Sequence, residues 1–461
     1  MQDMEKYIIQ PKKVQHTYML WISAFLLIFN VYHTKLMSIF LFSASSASTF
    51  VVQGCAVALL LAYFIIDKKL SLPRIEIQPM EWLLILTLLV MLVTTKNINE
   101  NLTYIIRYAV LVFIVILMKY EENFFHIIFY CILAAGLIHV AATLWFYFDT
   151  DFYMAHIYPN FDSNQRAHLY EQVQKNHHAV GLSNHYSQNG IYMAISLCAS
   201  FALLFVKSHK NMLQKVLLLS VVLFSLVLTG KRGVLIFSVF AMIVSYIICK
   251  KGALANKLVT VLLILSILSL VTYALSFYVE GIAAAFERIT AMFLTENETS
   301  DVSNGRFKLY SIAWNFFKES PILGIGWREF SKEVVNFYNQ DSVLRDAHNV
   351  FLQLLCETGI IGFSVFLSLF VYAIVQTIQL VVKSTKELLR LSDKTKTVLV
   401  FSLCYQVFFL AYCITGNPLY DLETVYIYIL SVGFSSGIYF GHKEEIAKIN
   451  RQIADKSKYF K

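Results

Sequence analysis

The chain has 461 residues, 57% of them hydrophobic and 15% charged, with a formal net charge of +8. That balance excludes an ordinary soluble protein, in which about a quarter of the residues are charged. The excess of Lys and Arg falls in the turns between apolar runs, so it reads as a membrane-topology signal and not as a nucleic-acid footprint.

Apolar runs of about 20 residues, enough to cross a bilayer as a helix, recur about twelve times. They centre near Leu26, Ala58, Thr87, Leu111, Ala134, Leu197, Val222, Phe240, Ile267, Leu369, Gln406 and Leu430. Lys68, Lys69 and Arg74 share one turn, Lys207, Lys210 and Lys215 a second, Lys250, Lys251 and Lys257 a third, and Lys383, Lys386, Arg390, Lys394 and Lys396 a fourth. All four lie on the same side, and so do Lys6, Lys12 and Lys13 near the start and Lys443, Lys448 and Arg451 near the end. The expected fold is therefore all-α, a polytopic helical membrane bundle of about 12 transmembrane helices forming one domain over residues 1–461, both termini cytoplasmic. The leader MQDMEKYIIQPKKVQH is followed by no small-residue cleavage site, so no cleavable signal peptide is expected. The cysteines, among them Cys131, Cys198 and Cys404, fall mostly inside spans and read as small packing residues.

Two outward segments are long, residues 149–187 and residues 279–348, the second a large loop between spans 9 and 10. No internal repeat relates the halves and no broken helices stand in matching positions, which weakens a transporter reading. Within the second loop, "GRFKLYSIAWNFFKE" from Gly305 to Glu319 places Phe307, Tyr310, Ala313, Trp314 and Phe317 at helical spacing. Lys308, Ser311, Asn315 and Lys318 take the other face. The pattern predicts a helix whose aromatic stripe packs on the bundle or lies in the membrane interface, stopped by Pro321. Arg306 stands at its start, where a guanidinium can reach into a cleft. "GIGW", residues 324–327, reads as a tight turn back toward the membrane.

"RDAHNVFLQLLCETGIIGF", residues 345–363, follows. The run from Gly362 to Val382 can span alone, so the preceding stretch reads as a short helix at the outer mouth with His348 in its first turn. If one helix continued through, His348, Leu352, Leu355, Gly359 and Gly362 would share a face, the glycines permitting close helix contact. A second oddity is "LTGKRGVLI", residues 228–236, which puts Lys231 and Arg232 at an outward turn against the positive-inside bias. The flanking apolar runs reach only about 21 to 24 Å against a bilayer core of about 30 Å. A charge held below the surface costs roughly 2.5 to 3.5 kcal/mol and persists with a partner. Arg107, in "LTYIIRYAV", enters from the same side at similar depth, and three basic groups at one level point to an anionic ligand such as a phosphate.

The order of these features, "KRG" between two spans, a long outer loop containing "GRFKLYSIAWNFFKESPILGIGW", then His-Asn, nine residues, Gly, two residues, Gly, resembles the O-antigen ligase and O-antigen polymerase superfamily from about Gln188 to Phe370. The resemblance implies a GT-C-like membrane glycosyltransferase of the bacterial cytoplasmic membrane with its active site on the periplasmic or extracellular face. The donor would be an undecaprenyl-pyrophosphate-linked glycan and the acceptor a hydroxyl of a second glycan. His348 would be the base or acceptor-orienting group and Arg232 and Arg306 the pyrophosphate clamp, with Lys231 and Arg107 contributing to donor binding. No cofactor or metal is implied, and a flippase and a chain-length regulator are the expected partners. A composition rich in Lys, Asn, Ile and Phe suits a low-GC host without lipopolysaccharide, which favours polymerase over ligase.

Two rival readings differ in kind. A lipid-linked-glycan flippase would carry charges along a central path through many spans, whereas here ionisable groups gather at the outer end. A metal-dependent glycosyltransferase is suggested by "FDTDF", where Asp149 and Asp151 form a DxD pattern able to hold a divalent cation. Arg166, His177 and His178 in the first outer loop offer sugar-binding side chains, although a solvated loop is the plainer reading.

Overall fold

An apolar run in a membrane has no polar partner for its backbone except itself, so it becomes a helix. The structure, a computed structural model, describes residues 16–32, 46–66, 76–205, 211–278, 283, 305–338 and 346–458, and no strand occurs among them. Each predicted span centre falls on a helix. These are α1 (Thr17–Tyr32), α2 (Ser46–Ile66), α3 (Pro79–Thr94), α4 (Ile98–Met118), α5 (Glu122–Phe148), α6 (Tyr186–Leu203), α7 (Met212–Leu228), α8 (Arg232–Cys249) and α9 (Leu254–Ser276). In the loop region stand α10 (Arg306–Glu319) and α11 (Phe330–Tyr338), followed by α12 (Val350–Thr385), α13 (Asp393–Tyr412), α14 (Leu422–Gly441) and the polar α15 (Lys443–Lys458).

Among the described residues, 6 helices are long and apolar enough to cross a membrane, namely α4, α5, α8, α12, α13 and α14, while several others are apolar but shorter. Helices α7 and α8 have 17 and 18 residues. They extend about 26 and 27 Å, a little longer than their apolar runs and at the short end of the about 17 to 25 residues that span a ~30 Å core.

The core is formed by α6, α13 and α14, in which most residues are buried. Around them α8 packs on α13, α3 on α12, α5 on α6, and α4 on α14. The loop helix α10 lies on α12. Of the predicted loop 279–348, residues 279–282, 284–304 and 339–345 lie outside the described residues. The first long segment, 149–187, folds as short helical turns over a small apolar cluster of Phe146, Tyr153, Ile157, Phe161, Leu169 and Val180.

The two ends of the bundle differ in chemistry. At one end the turn after α8 meets the turn after α12, through Lys251 Nζ to Glu387 Oε1 (2.8 Å) and Thr385 Oγ1 to the Cys249 carbonyl (3.3 Å). The same end holds a buried ion pair between Lys119 and Glu81 (2.7 Å) and an exposed one between Lys443 and Glu76 (2.8 Å). The α7–α8 turn, the start of α6, the start of α12 and the α13–α14 turn gather at the opposite end.

The loop helix α10 departs from expectation. Leu309, Ile312, Ala313 and Phe316 are its buried residues, whereas Phe307 is 74% exposed and Trp314 48% exposed. Of the predicted stripe, Phe307 and Trp314 face outward, Tyr310 is half-buried, Ala313 is buried and Phe317 packs partly on the cluster beneath, while the stripe turned inward is Leu309, Ile312, Ala313 and Phe316.

Candidate active site

A cavity of about 720 Å³ opens at the end of the bundle away from the lysine-rich turns. Lys231, Arg232, Arg306 and His348 all line it, although they come from three separate stretches of chain. The α7–α8 turn delivers the first two. Gly230 has φ +68°, and a Cβ there would fall 2.5 Å from His178 Cδ2, so only glycine lets this turn close against the first loop. Lys231 then lies over the Tyr186 ring at 5.8 Å from its centroid. Burial pushes the Lys231 ammonium below the ordinary lysine pKa, the nearby Arg306 charge pushes it the same way, and the Asp421 carboxylate opposes both. Cations crowded until one is destabilised form a site that gains from an anion.

His348 stands one residue before the N-cap of α12. Asn349 is the N-cap of α12, its side chain accepting from Leu352 N (3.0 Å), so His348 is outside the first turn where it was expected. Its φ of +52° is left-handed, a conformation that costs a non-glycine residue about 1 to 3 kcal/mol and persists only when its surroundings enforce it. Those surroundings are identifiable. Gln353, one turn into α12, accepts from Ala347 N (3.0 Å) and from Asn417 Nδ2 (3.2 Å), and donates to Asp346 Oδ1 (3.2 Å). Asp346 also accepts from Ser331 Oγ (2.7 Å), and Val350 N donates to the Cys413 carbonyl (2.9 Å).

Beneath Gln353 lies Glu357, fully buried. Its carboxylate accepts from the backbone N–H groups of Arg328 (2.9 Å) and Phe330 (3.2 Å), from Gln353 Nε2 (3.1 Å) and from the Tyr420 hydroxyl (2.8 Å). The 320–330 turn is thereby fastened to α12. Gly359, with φ +62°, breaks α12 at this crossing, and Ile325 N, Gly326 N and Ile360 N make backbone bonds across it (2.8, 2.9 and 2.9 Å). A Cβ on Gly359 would be 2.2 Å from the Ile322 carbonyl oxygen, and one on Gly324 would be 2.3 Å from the Glu357 carbonyl carbon. Trp327, wholly buried, stacks between Phe366 and Tyr420. Gly362 behaves as a contact glycine, since a Cβ there would lie 2.8 Å from Val90 on α3.

Residues 216–367 match the family model described as O-antigen ligase. Over those residues, about a third of the chain, the protein is similar to the O-antigen ligase family. No curated protein matches the chain. The matched segment supplies Lys231, Arg232, Arg306 and His348, while the other walls of the cavity come from outside it: His178, Tyr186 and Ser187 on one side, Tyr412, Thr415, Asn417 and Asp421 on the other. Of these second walls the sequence reasoning named only His178, as a sugar-binding candidate, and missed the rest, because turn residues carry no periodic signal. Glu357 it missed despite an available one, an acid inside the apolar stretch "FLQLLCETGIIGF".

Arg107 is not brought into the cavity. Its guanidinium lies 5.9 Å from the Phe50 ring centroid on α2, with Glu423 and Tyr426 of α14 within electrostatic reach. The DxD pattern is divided between two tasks. Asp149 caps the short helix that follows, accepting from Phe152 N (3.0 Å), while Asp151 lines a different cavity. Among the described residues no cluster of three or more His, Cys, Asp and Glu side chains has metal-holding geometry. Arg166 is exposed on the first loop, outside the cavity.

Proposed function

We propose that the protein is a glycosyltransferase at the outer face of a bacterial cytoplasmic membrane, polymerising undecaprenyl-pyrophosphate-linked repeat units of a surface polysaccharide. The observation that carries this reading is the convergence of Lys231, Arg232, Arg306 and His348 on one cavity. Arg232 and Arg306 clamp the donor pyrophosphate, each guanidinium offering a planar fork to phosphate oxygens, and Lys231 adds a point charge. Arg107 has no part in this clamp. His348 orients the acceptor hydroxyl and takes its proton as that oxygen attacks the anomeric carbon. The pyrophosphate leaves with its charge held by the cations. The cavity continues onto Ile236 and Phe237 of α8, and Ile236 is 55% exposed, which gives the donor's polyprenyl chain an apolar path into the bilayer. The lysine-rich turns at the opposite end support an outward-facing cleft, because such turns stay cytoplasmic. In this reading a flippase supplies the donor and a chain-length regulator acts on the product.

The description of the matched family favours a second reading, a ligase that moves a finished glycan to a final acceptor. Purified protein in proteoliposomes with lipid-linked repeat units distinguishes them: a polymerase makes a ladder from these units alone, and a ligase needs a separate acceptor. In the same assay His348→Ala lowers turnover about 100- to 10,000-fold while donor binding survives, the effect of removing a general base. Arg232→Ala and Arg306→Ala weaken donor binding instead, and lysine replacements recover little. Wild-type turnover in His348→Ala, or a loss that merely follows unfolding, refutes the assignment.

A further inference from the structure

A second cavity of about 420 Å³ lies beside the first, between the outer end of α5 and the first loop. His178 lines both, so the two cavities adjoin at that residue. The His178 ring is held in place: its centroid is 4.4 Å from that of Tyr186, Gly230 closes against it, and the neighbouring backbone is fastened by His178 N to the Gln172 carbonyl and Ala179 N to the Leu228 carbonyl (both 2.9 Å). His177, on the second cavity's wall, has a left-handed φ of +51°, a conformation rarely adopted without a reason in the surroundings.

The chemistry of the second cavity differs from that of the cleft. Tyr147, Phe148 and Tyr278 give aromatic faces, Asp151 a carboxylate and Gln174 an amide, and no Lys or Arg is among the lining residues. A site without cations is not built for a second phosphate. Aromatic faces that pack on C–H surfaces, together with short-range donors and acceptors for hydroxyl groups, suit an uncharged, hydroxyl-rich ligand. We propose that this cavity binds sugar residues of the glycan that lie beyond the reacting bond, making it a subsite for an oligosaccharide chain as it leaves the cleft past His178. The proposal rests on the glycosyltransferase reading above.

The test uses full-length protein in proteoliposomes and, as probes, lipid-linked single repeat units and lipid-linked oligomers of those units isolated from the host's membranes. Asp151→Asn and Gln174→Ala are made singly and together, both residues being exposed and outside the catalytic cleft. The double variant is expected to join two single units at the wild-type kcat, with thermal stability unchanged. Its KM for oligomers should rise about tenfold, the loss of one or two hydrogen bonds, and the product ladder should shorten. Wild-type KM for oligomers and a wild-type ladder would overturn the subsite while leaving the transferase reading intact. So would an equal loss with single units and oligomers, or a loss that accompanies lowered stability. Wild-type protein that joins no units at all would overturn the transferase reading and the subsite with it.

Discussion

Removing the Glu357 carboxylate is the most demanding test of how the cleft is held. In Glu357→Ala, the N–H of Phe330 loses its acceptor at a buried position and that of Arg328 at a part-buried one, and Gln353 and Tyr420 each lose one hydrogen bond. An orphaned buried donor costs about 1 to 3 kcal/mol, so the two backbone groups alone cost at most about 6 kcal/mol. Glu357→Gln keeps the shape but turns an amide N–H₂ toward groups that donate, which leaves about half of the bonds and costs about 1 to 3 kcal/mol. The order wild type, Gln, Ala should appear in thermal unfolding of detergent-solubilised protein. Turnover should fall in the same order at temperatures where all three remain folded, because Gln353 then loses one of the bonds that hold it under Asp346 and Ala347, next to His348. Donor affinity should change less than turnover, since Arg232 and Arg306 make none of the bonds that the carboxylate accepts. A Glu357→Ala protein with wild-type melting and turnover would refute the view that this buried carboxylate holds the 320–330 turn and the His348 segment together.

Gly359→Ala should prevent accumulation of folded protein, because its Cβ would meet the Ile322 backbone at 2.2 Å in addition to a left-handed φ. Gly305→Ala, also left-handed at φ +80° but facing open space, should lower stability by only about 1 kcal/mol, and comparing yields and melting of the two variants separates collision from backbone strain. EDTA should leave the transfer rate unchanged, since three cationic side chains already line the cleft and the Asp149 carboxylate is occupied as a helix cap. Loss of rate on chelation, restored by magnesium or manganese and reproduced by Asp149→Asn, would reverse that assignment.

The helices and the cationic turn were legible in the sequence because both break a cost rule visible in one dimension. An apolar run of span length has few other conformations open to it in a membrane. Lys231 and Arg232, on a turn where basic residues are disfavoured, announce a partner. The face of α10 was not legible, since the helix is apolar on two sides. Periodicity fixes the helical phase of Phe307 and Trp314 and equally that of Leu309 and Phe316, and only the contact with α12 decides which stripe turns inward. Arg107 illustrates a related limit. Depth along the membrane is readable from sequence, but the direction of a side chain around the bundle is not, and this one turns toward α2.

The spacing of the His348 motif acquires a mechanical meaning from the fold. Asn349 caps the helix, the residues Val350 to Thr358 form its first segment, and Gly359 is the crossing point where the backbone of Pro321 to Gly326 passes over. At 1.5 Å per residue the interval from cap to crossing is about 15 Å. Within it Gln353 and Glu357 are one turn apart on one face, the first bonded to the backbone just before His348 and the second to the turn that returns from α10. Arg306 begins α10, so Arg306 and His348 are joined by a continuous bonded path: α10, the 320–330 turn, Glu357, Gln353 and the His348 segment. One residue more or fewer between Asn349 and Gly359 would turn the crossing glycine by about 100° relative to the cap and bring a Cβ onto the Ile322 carbonyl. The interval therefore acts as a ruler that sets His348 against Arg306, and its length follows from the packing of the turn on α12.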